Sequence, residues 1–286
     1  MEDSNNVERE GNDLINLLEN YVENNHPHLV ILTPCFGSIC YTNYINSLLH
    51  TQDLFNTYKI PLTVLFCKND SLVTRARNNL IAKAMNIPTM THMLFIDNDI
   101  AWEPFDIIKL LISNKPIIGG IYPLKKYMFN RIIPTENNTN PVKNIIDKKN
   151  NSELKMVSDT DTIQMNLLKY NVNYVSDEMA VNNNIAEVKH IATGFMLIKK
   201  NVIELMSESY NSTKYTDDVG FLNTEENNYA YALFDCGVIN NHYYSEDWLF
   251  CHRWTNLNGS IYVDVTVNLT HTGINDFKGC YLSSIL

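Results

Sequence analysis

The sequence predicts an α/β fold in which a mixed, mainly parallel sheet is flanked by helices, and three observations predict it. Short apolar runs alternate with longer stretches in which apolar residues recur at helical spacing. The runs are apolar at nearly every position, which is typical of parallel strands buried on both faces. Their order over residues 28–96 is strand, helix, strand, helix, strand, which favours right-handed crossover connections.

Each element of the first half follows from a local pattern. Pro34 closes the first apolar run, and Pro88 stops a helical pattern. Before them, a polar leader over residues 1–27 contains one amphipathic, helical stretch. The predicted order is a strand at 28–34, a helix at 40–58, a strand at 60–67, a helix at 72–85, a strand at 92–96, a helix at 104–113 and a strand with its turn at 116–120.

The pattern fades between residues 128 and 188, where Asn, Lys and Asp dominate. We predict a variable, irregular insertion there. Order returns with a strand at 190–198, a helix at 245–254 and a strand at 260–269. The sequence therefore predicts a single domain over residues 28–286, behind the leader and interrupted by the insertion.

Composition excludes several classes of protein. With 45% hydrophobic and 19% charged residues, the 286-residue chain is too apolar to be mainly disordered. Its net charge of −10 makes it a poor ligand for nucleic acid or anionic lipid. No apolar run is long enough to span a bilayer and no signal-peptide pattern is found, so we expect a soluble, cytoplasmic protein that is not secreted. The six cysteines are scattered, which favours free thiols over disulfides or a zinc site.

Two carboxylates follow the third predicted strand. Asp97 and Asp99 flank Asn98 at the carboxyl end of residues 92–96, where open α/β sheets bind their ligands. Such a pair can hold a hard divalent cation that also grips a diphosphate, and we predict a metal site here. A second Asp-x-Asp at residues 159–161 has no strand before it, and we expect it to lie in a solvated loop.

The start of the helix predicted at 72–85 is rich in polar side chains. Arg75, Arg77 and Asn78 follow Asp70 there and could meet a base, a ribose or a phosphate. Cations at a helix N-terminus oppose the helix dipole, which favours an anionic partner. The alternative is a solvated basic turn.

An acidic pair and a histidine occur late in the chain. Glu246 and Asp247 open the helix at 245–254, where either is a candidate general base. Acids at that position are also favoured by the helix dipole alone. His271 follows the last predicted strand, and a lone histidine is either a metal ligand or a structural residue.

Taken in order, these segments resemble the nucleotide-sugar-dependent glycosyltransferases of the GT-A type. The likeness covers about residues 28–127 and 189–275. It points to transferases carried by large DNA viruses, with a local similarity to fungal mannosyltransferases around the Arg-Asn and Asp-x-Asp segments. The segments that carry it are Thr33-Pro34, Asp70 with Arg75-Ala76-Arg77-Asn78, Asp97-Asn98-Asp99, Gly119-Gly120-Ile121-Tyr122-Pro123, Ala192-Thr193-Gly194-Phe195-Met196, Ser245-Glu246-Asp247 and His271.

For residues 28–127, the resemblance implies the nucleotide-sugar-binding half of a GT-A-like, Rossmann-like fold. It implies Mn²⁺ or Mg²⁺ on the diphosphate of a nucleotide sugar, with uracil as the favoured base. Asp97 would contact the ribose or the metal, Asp99 would coordinate the metal, and His271 would be a late third ligand. The residues implied around the base, ribose and phosphates are Thr33, Pro34, Asp70, Arg75 and Asn78.

For residues 189–286, the resemblance implies the acceptor half. Gly194 and Phe195, with Trp248, would shape the acceptor side. Asp247 would deprotonate the acceptor hydroxyl, with Glu246 as the second candidate. The implied reaction is an inverting transfer from a UDP-sugar to a glycan or protein acceptor, in the host cytoplasm or the virion if the chain is viral.

Two other functions stay open. A non-catalytic carbohydrate- or nucleotide-binding protein could retain the same fold, and a nucleotidyltransferase could share the nucleotide site. A nucleotidyltransferase usually needs a Gly-rich phosphate loop near its start, which residues 33–37 hardly provide. A Rossmann oxidoreductase is disfavoured because no G-x-G-x-x-G follows a predicted strand.

Overall fold

The computed structural model describes residues 2–175, 180–273 and 275–285, with side chains from residue 14 onward. The helices are α1 (Glu2–Asn25), α2 (Thr42–Thr57), α3 (Val73–Met85), α4 (Pro104–Ile112), α5 (Pro141–Asn150), α6 (Asp159–Asn166), α7 (Lys200–Ser209), α8 (Glu246–Thr255) and α9 (Tyr281–Ile285). The strands are β1 (Leu29–Cys35), β2 (Leu62–Lys68), β3 (His92–Ile96), β4 (Ile100–Ala101), β5 (Ile117–Gly119), β6 (Pro123–Tyr127), β7 (Leu168–Tyr170), β8 (Val172–Tyr174), β9 (Val181–Asn182), β10 (Ile185–Ile191), β11 (Phe195–Lys199), β12 (Gly237–Ile239), β13 (His242–Tyr244), β14 (Ile261–Asp264), β15 (Thr270–His271) and β16 (Phe277–Lys278).

One large mixed sheet forms the centre of the fold. Its strand order is β2-β1-β3-β11-β5-β14-β10-β8, and β9 also pairs with β10. β1 is parallel to β2 and β3, and β5 is parallel to β14. β11 lies antiparallel between β3 and β5, and β10 is antiparallel to β14. The predicted Rossmann-like α/β fold with a parallel core is confirmed.

Helices cover both faces of this sheet, which explains why its strands are apolar at nearly every position. Alternate residues of β1 enter different clusters: Val30 and Leu32 on one face, Leu29 and Ile31 on the other. Residues of α3, α7 and α8 complete the first cluster, and residues of α1, α2 and α4 complete the second. Among the described residues, no helix combines the length and the apolar character needed to cross a bilayer.

Two of the predicted strands are wrong in extent. The run 190–198 is divided: β10 ends at Ile191 and β11 begins at Phe195, and the two strands have different partners in the sheet. The strand predicted at 260–269 ends at Asp264. The Asp264 carboxylate accepts hydrogen bonds from the backbone N–H and the hydroxyl of Thr266, which turns the chain.

The region predicted as an irregular insertion contains regular elements in its described part. α5, α6 and β7 to β9 lie within it, and β8 extends the edge of the large sheet. The second Asp-x-Asp is also not in a loop. It occupies the first turn of α6, where the Ser158 hydroxyl caps the helix and Asp159 pairs with Lys149 at 2.5 Å. These elements are short and mostly polar, so they leave little periodic signal.

A small three-stranded sheet brings the last part of the chain to the end of β3. β15 pairs with β4, which directly follows Asp99, and with β16 on its other side. The backbone N–H of Thr272 donates to the Asp99 carbonyl at 2.8 Å. This pairing places His271 beside Asp99, although the two residues are far apart in sequence.

A tight hairpin leads into α8. Its strands β12 and β13 are joined at Asn240 and Asn241, which both have positive φ angles, 51° and 63°. Two such residues in succession form the turn type that matches the twist of paired strands. The hairpin exposes Val238 and Tyr243, and its second strand ends one residue before the helix cap Ser245.

His92 links the fold to pH. It begins β3 with only 5% of its surface exposed, and its Nδ1 lies 2.8 Å from the Thr91 hydroxyl. Burial, together with the nearby charge of Lys199, lowers the pKa of His92 to about 4. The native state therefore resists protonation that the unfolded chain accepts near pH 6.5. The contribution of neutral His92 to the free energy of unfolding is complete above pH 6.5 and is lost as the pH falls toward 4.

We expect the replacement His92→Asn to reduce the acid sensitivity of the fold. Between pH 7.5 and pH 5, the free energy of unfolding should fall by about 2 kcal/mol less in this variant than in the wild type. Urea unfolding at both pH values measures the difference. The exposed His50→Asn is the matched control, and an identical pH dependence in all three proteins would exclude His92 as the cause.

Candidate functional site

The candidate site lies where β3 ends. The backbone N–H of Asp97 donates to the Gly194 carbonyl at 3.2 Å, which holds this loop against the start of β11. The chain then turns, with the Ile100 N–H donating to the Asp97 carbonyl at 3.0 Å. The side chains of Asp97 and Asp99, which the sequence analysis pairs at one metal, have different partners beyond this turn.

Asp97 is bound by a buried arginine. Arg77 Nη2 donates to Asp97 Oδ1 at 3.1 Å, and Arg77 Nε donates to Glu246 Oε1 at 3.4 Å. The Arg77 side chain is 5% exposed, against 32% for Asp97 and 16% for Glu246. Its guanidinium also lies over the Phe95 ring, with the central carbon 5.5 Å from the ring centroid. Arg77 thus joins the loop after β3 to the first turn of α8.

The Arg77 guanidinium is charged in this position, because arginine stays protonated in proteins. Burial by itself would lower the pKa of the guanidinium, but the carboxylates of Asp97 and Glu246 outweigh burial and raise it. Its third nitrogen, Nη1, is buried and has no hydrogen-bond partner among the described residues. A charge so deep in the fold is stabilised by its two carboxylate partners.

Asp99 lies in a second cluster, with the side chains of Lys125 and His271. Asp99 Oδ2 accepts from Lys125 Nζ at 2.6 Å and lies 3.3 Å from His271 Nε2. Burial would raise the pKa of the Asp99 carboxyl, but the hydrogen bonds from His271 and Lys125 lower it overall. The carboxylate is therefore ionised and faces an imidazole nitrogen.

His271 is oriented as metal-binding histidines are. Its Nδ1 lies 2.8 Å from the Pro123 carbonyl, so Nδ1–H donates there and Nε2 faces Asp99 Oδ2. A backbone acceptor on the second nitrogen is the usual support of a ligating imidazole. One carboxylate and one imidazole suit a divalent cation that takes its other ligands from a diphosphate and water.

The predicted set of three metal ligands is not assembled. Asp97 pairs with Arg77 and lies apart from the contact between Asp99 and His271. In the described ranges, no group of three His, Cys, Asp or Glu side chains is placed to hold a metal ion. Of the three predicted ligands, the structure brings Asp99 and His271 together and places Asp97 with Arg77.

Asp247 has one carboxylate oxygen in use and one available. Its Oδ1 accepts from the Ser245 hydroxyl and, at 2.9 Å, from the Trp248 backbone N–H. No described residue donates a hydrogen bond to Oδ2. Glu246 is committed to Arg77, so the geometry favours Asp247 over Glu246 as the residue that can accept a proton from a bound hydroxyl.

Tyr122 lies between the two clusters. Its ring meets the His271 ring edge-on, with centroids 5.2 Å apart. Burial and then the charges of Asp97 and Asp247 raise the pKa of its phenol, which places the three groups in one neighbourhood. Gly194 makes room for this ring, because a Cβ at that residue would lie 2.5 Å from it. The role of Gly194 is therefore this close approach.

Asp70 and Arg75 come together as a pair after β2. Arg75 Nε and Nη2 donate to the two Asp70 oxygens, each at 2.8 Å, and the Leu72 N–H donates to the same carboxylate at 2.9 Å. Burial would raise the pKa of Asp70, but the bonds from Arg75 and Leu72 lower it. The Arg75 side chain stays 31% exposed at this edge of the sheet.

Three residues predicted to bind substrate have structural roles instead. Thr33 is fully buried, and its hydroxyl lies 2.7 Å from the Tyr44 hydroxyl. Asn78 is buried and exchanges two hydrogen bonds with the backbone of Phe234, at 2.7 and 2.9 Å. Phe195 is fully buried within β11. None of them presents a polar or aromatic surface to a ligand.

The two remaining predicted contacts are partly exposed. Pro34 lies near the carboxyl end of β1, one residue beyond Thr33. Trp248 stacks on His190, with centroids 4.5 Å apart and the rings 1° from parallel. His242 of the hairpin stacks on Trp248 as well, at 5.7 Å. These neighbours already contact the Trp248 ring.

Two residues that organise the site have partners that the sequence does not predict. Arg77 belongs to the Arg-x-Arg pattern, but only its burial between two acids distinguishes it from Arg75. Lys125 follows the Gly119–Pro123 segment and has no local signature, because its partner Asp99 lies on another loop. The two acids of the Asp-x-Asp segment pair with an arginine and a lysine that are distant in sequence. Only the fold reveals these two pairs.

The charge network around Arg77 predicts a stability effect. We expect Arg77→Met to lower the free energy of unfolding by about 3 kcal/mol, because Asp97 and Glu246 lose their counter-charge. Glu246→Gln should cost about 1 kcal/mol, and the double variant should be at least about 1 kcal/mol more stable than additivity predicts. Urea unfolding of the four proteins gives the cycle. Arg77→Met within 0.5 kcal/mol of wild type would rule out the network as a support of the fold.

Comparisons with known proteins give a likeness among solved structures. Neither the models of known protein families nor the curated proteins provide a match to this chain. Among solved structures, the chain is similar to the crystal structure of A197 from STIV, with a TM-score of 0.46 and 14% identity over 86% of each chain. At this TM-score and identity, the likeness says nothing about what the chain binds.

Proposed function

We propose that this chain is a metal-dependent glycosyltransferase of the GT-A type, which transfers a sugar from a nucleoside diphosphate to an acceptor hydroxyl. The observation that carries the proposal is the contact between Asp99 Oδ2 and His271 Nε2 at the carboxyl end of β3. That edge is where open α/β sheets bind nucleotides. Two residues from distant segments meet there, and a carboxylate and an imidazole are both side chains that bind divalent cations.

The donor side of the proposal uses the edge formed by β1, β2 and β3. Asp99 and His271 would hold Mn²⁺ or Mg²⁺, and the cation would supply Lewis-acid stabilisation of charge on the diphosphate. The Asp70–Arg75 pair follows β2, and Pro34 lies near the end of β1. Both would flank the base and ribose of the donor nucleotide, for which UDP is the first candidate. Asp97, held by Arg77, would face the ribose.

The acceptor side uses the start of α8. Asp247 Oδ2 would accept the proton of the acceptor hydroxyl while the oxygen of that hydroxyl forms a bond to the anomeric carbon. The bond from that carbon to the diphosphate oxygen breaks, and its electron pair leaves with the diphosphate. Attack from the side opposite the leaving group inverts the configuration of the sugar. The acceptor is a glycan or a protein, and the proposed location is the host cytoplasm or a virion.

A binding protein on the same fold is the second candidate. The observation that favours it is that only two possible metal ligands converge among the described residues. Such a protein would bind a nucleotide sugar without cleaving it. Release of nucleoside diphosphate from a panel of nucleotide sugars separates the two functions.

The proposed donor site predicts a metal-dependent thermal shift. We expect one nucleoside diphosphate, with UDP first, to raise the melting temperature by a few degrees at ~100 times its Kd in Mn²⁺, because that excess stabilises the native state by ~2.7 kcal/mol. Asp99→Ala should abolish the shift. Asp161→Ala, in the other Asp-x-Asp, should keep it. Equal shifts in both variants would remove Asp99 from the site.

The proposed base predicts a separation of binding from transfer. We expect Asp247→Asn to bind the donor as the wild type does, because the amide keeps the shape of the side chain. Sugar transfer should fall by at least about 100-fold, the size of a general-base contribution. Isothermal titration and product release measure the two quantities. Parallel loss of binding and transfer would contradict the role of base.

A further inference from the structure

We propose that Lys125 is a positioning residue that occupies the cation position on Asp99 in the donor-free protein and moves to the donor's diphosphate when a divalent cation binds. The inference rests on the proposed function and specifies how that site admits its metal. It makes metal binding dependent on the donor.

A single oxygen atom, Asp99 Oδ2, contacts both Lys125 and His271. Asp99 Oδ2 accepts from Lys125 Nζ at 2.6 Å and is also the oxygen that faces His271 Nε2, at 3.3 Å. A cation held between this oxygen and the imidazole needs the lone pairs that the ammonium now uses. The ammonium and a divalent cation also repel each other at such a distance. Lys125 must leave for the metal to bind.

The fold also provides for Lys125 in this position. Its stem passes over Gly273, where a Cβ would lie 3.0 Å from Lys125 Cδ and 3.3 Å from Cε. Its ammonium lies 6.0 Å from the centroid of the Tyr41 ring, within the range of a cation–π contact. The residue is thus guided from three sides, by the loop after β15, by the segment before α2 and by Asp99.

The charge of the Asp99–Lys125 pair and the length of the Lys125 side chain also favour this exchange. The pair of Asp99 and Lys125 is neutral, so a divalent cation alone would add two uncompensated charges to it. A cation that arrives with a diphosphate brings its own counter-charge. The Lys125 side chain is 33% exposed, so its long stem has room to turn toward solvent and the incoming phosphates. Ammonium groups are established phosphate ligands in proteins.

The test measures Mn²⁺ binding without turnover. Free Mn²⁺ is followed by electron paramagnetic resonance in titrations of the whole chain, first without nucleotide and then with UDP. We expect Lys125→Met to bind Mn²⁺ at least about tenfold more tightly than wild type when UDP is absent. In saturating Mn²⁺, the same variant should bind UDP at least about tenfold more weakly, because the diphosphate loses the ammonium.

Two variants serve as controls. Lys126→Met changes the next residue of β6, whose side chain is exposed. It should match wild type in both titrations. Lys125→Arg retains a cation and should keep metal affinity low without UDP. Circular dichroism melts show whether each variant is folded.

The outcomes separate the inference from the proposed function. If wild type binds UDP only with Mn²⁺ but Lys125→Met leaves the UDP-free Mn²⁺ affinity unchanged, the role of Lys125 is wrong and the donor site stands. If Lys125→Met and Lys126→Met tighten Mn²⁺ binding equally, the effect is one of net charge and the role is again wrong. If the wild type binds neither Mn²⁺ nor any nucleoside diphosphate, the proposed function fails and the inference fails with it.

Discussion

The ion pairs of the buried Arg77 are the constraint on which the geometry of the site depends. The sheet fixes where β3 ends, but it does not fix how α8 begins, because a hairpin and a loop precede that helix. Arg77, on α3, contacts Asp97 after β3 and Glu246 in the first turn of α8. A single guanidinium therefore joins the edge of the sheet to the first turn of the helix that carries Asp247. The cost of burying this charge is offset by two carboxylates, neither of which is fully exposed.

This constraint divides the work of two acids that are adjacent in the Asp-x-Asp pattern. Asp97 balances a buried charge and is therefore needed for the shape of the site. Asp99 is balanced by Lys125, whose stem is long and partly exposed, so its counter-charge can be exchanged. The same residue type two positions apart thus supports the scaffold in one case and, in the proposed function, the chemistry in the other. Burial of the partner, rather than that of the acid, decides which.

Much of the fold could be predicted from the sequence, because buried parallel strands and amphipathic helices leave strong periodic patterns. β1, β2, β3, β5 and the helices between them are recovered from such patterns. The failures occur where short elements meet in space. The run 190–198 is apolar throughout, yet Gly194 breaks it against the Tyr122 ring, a contact that no local pattern encodes. Within the site, residue type and position suggest Asp99, His271 and Asp247. The same criteria also suggest Thr33, Asn78 and Phe195, but these three residues are buried in the core.

The pairing of β15 with β4 has a consequence for how the chain matures. Asp99 is synthesised well before its partner His271, because a long stretch of chain separates them. The parallel strands β1 to β3 need nothing beyond residue 96 to pair with one another. A nascent or truncated chain that stops before β15 can thus contain these paired strands but lacks the imidazole beside Asp99. The contact between Asp99 and His271 forms only after β15 has been synthesised and has paired with β4.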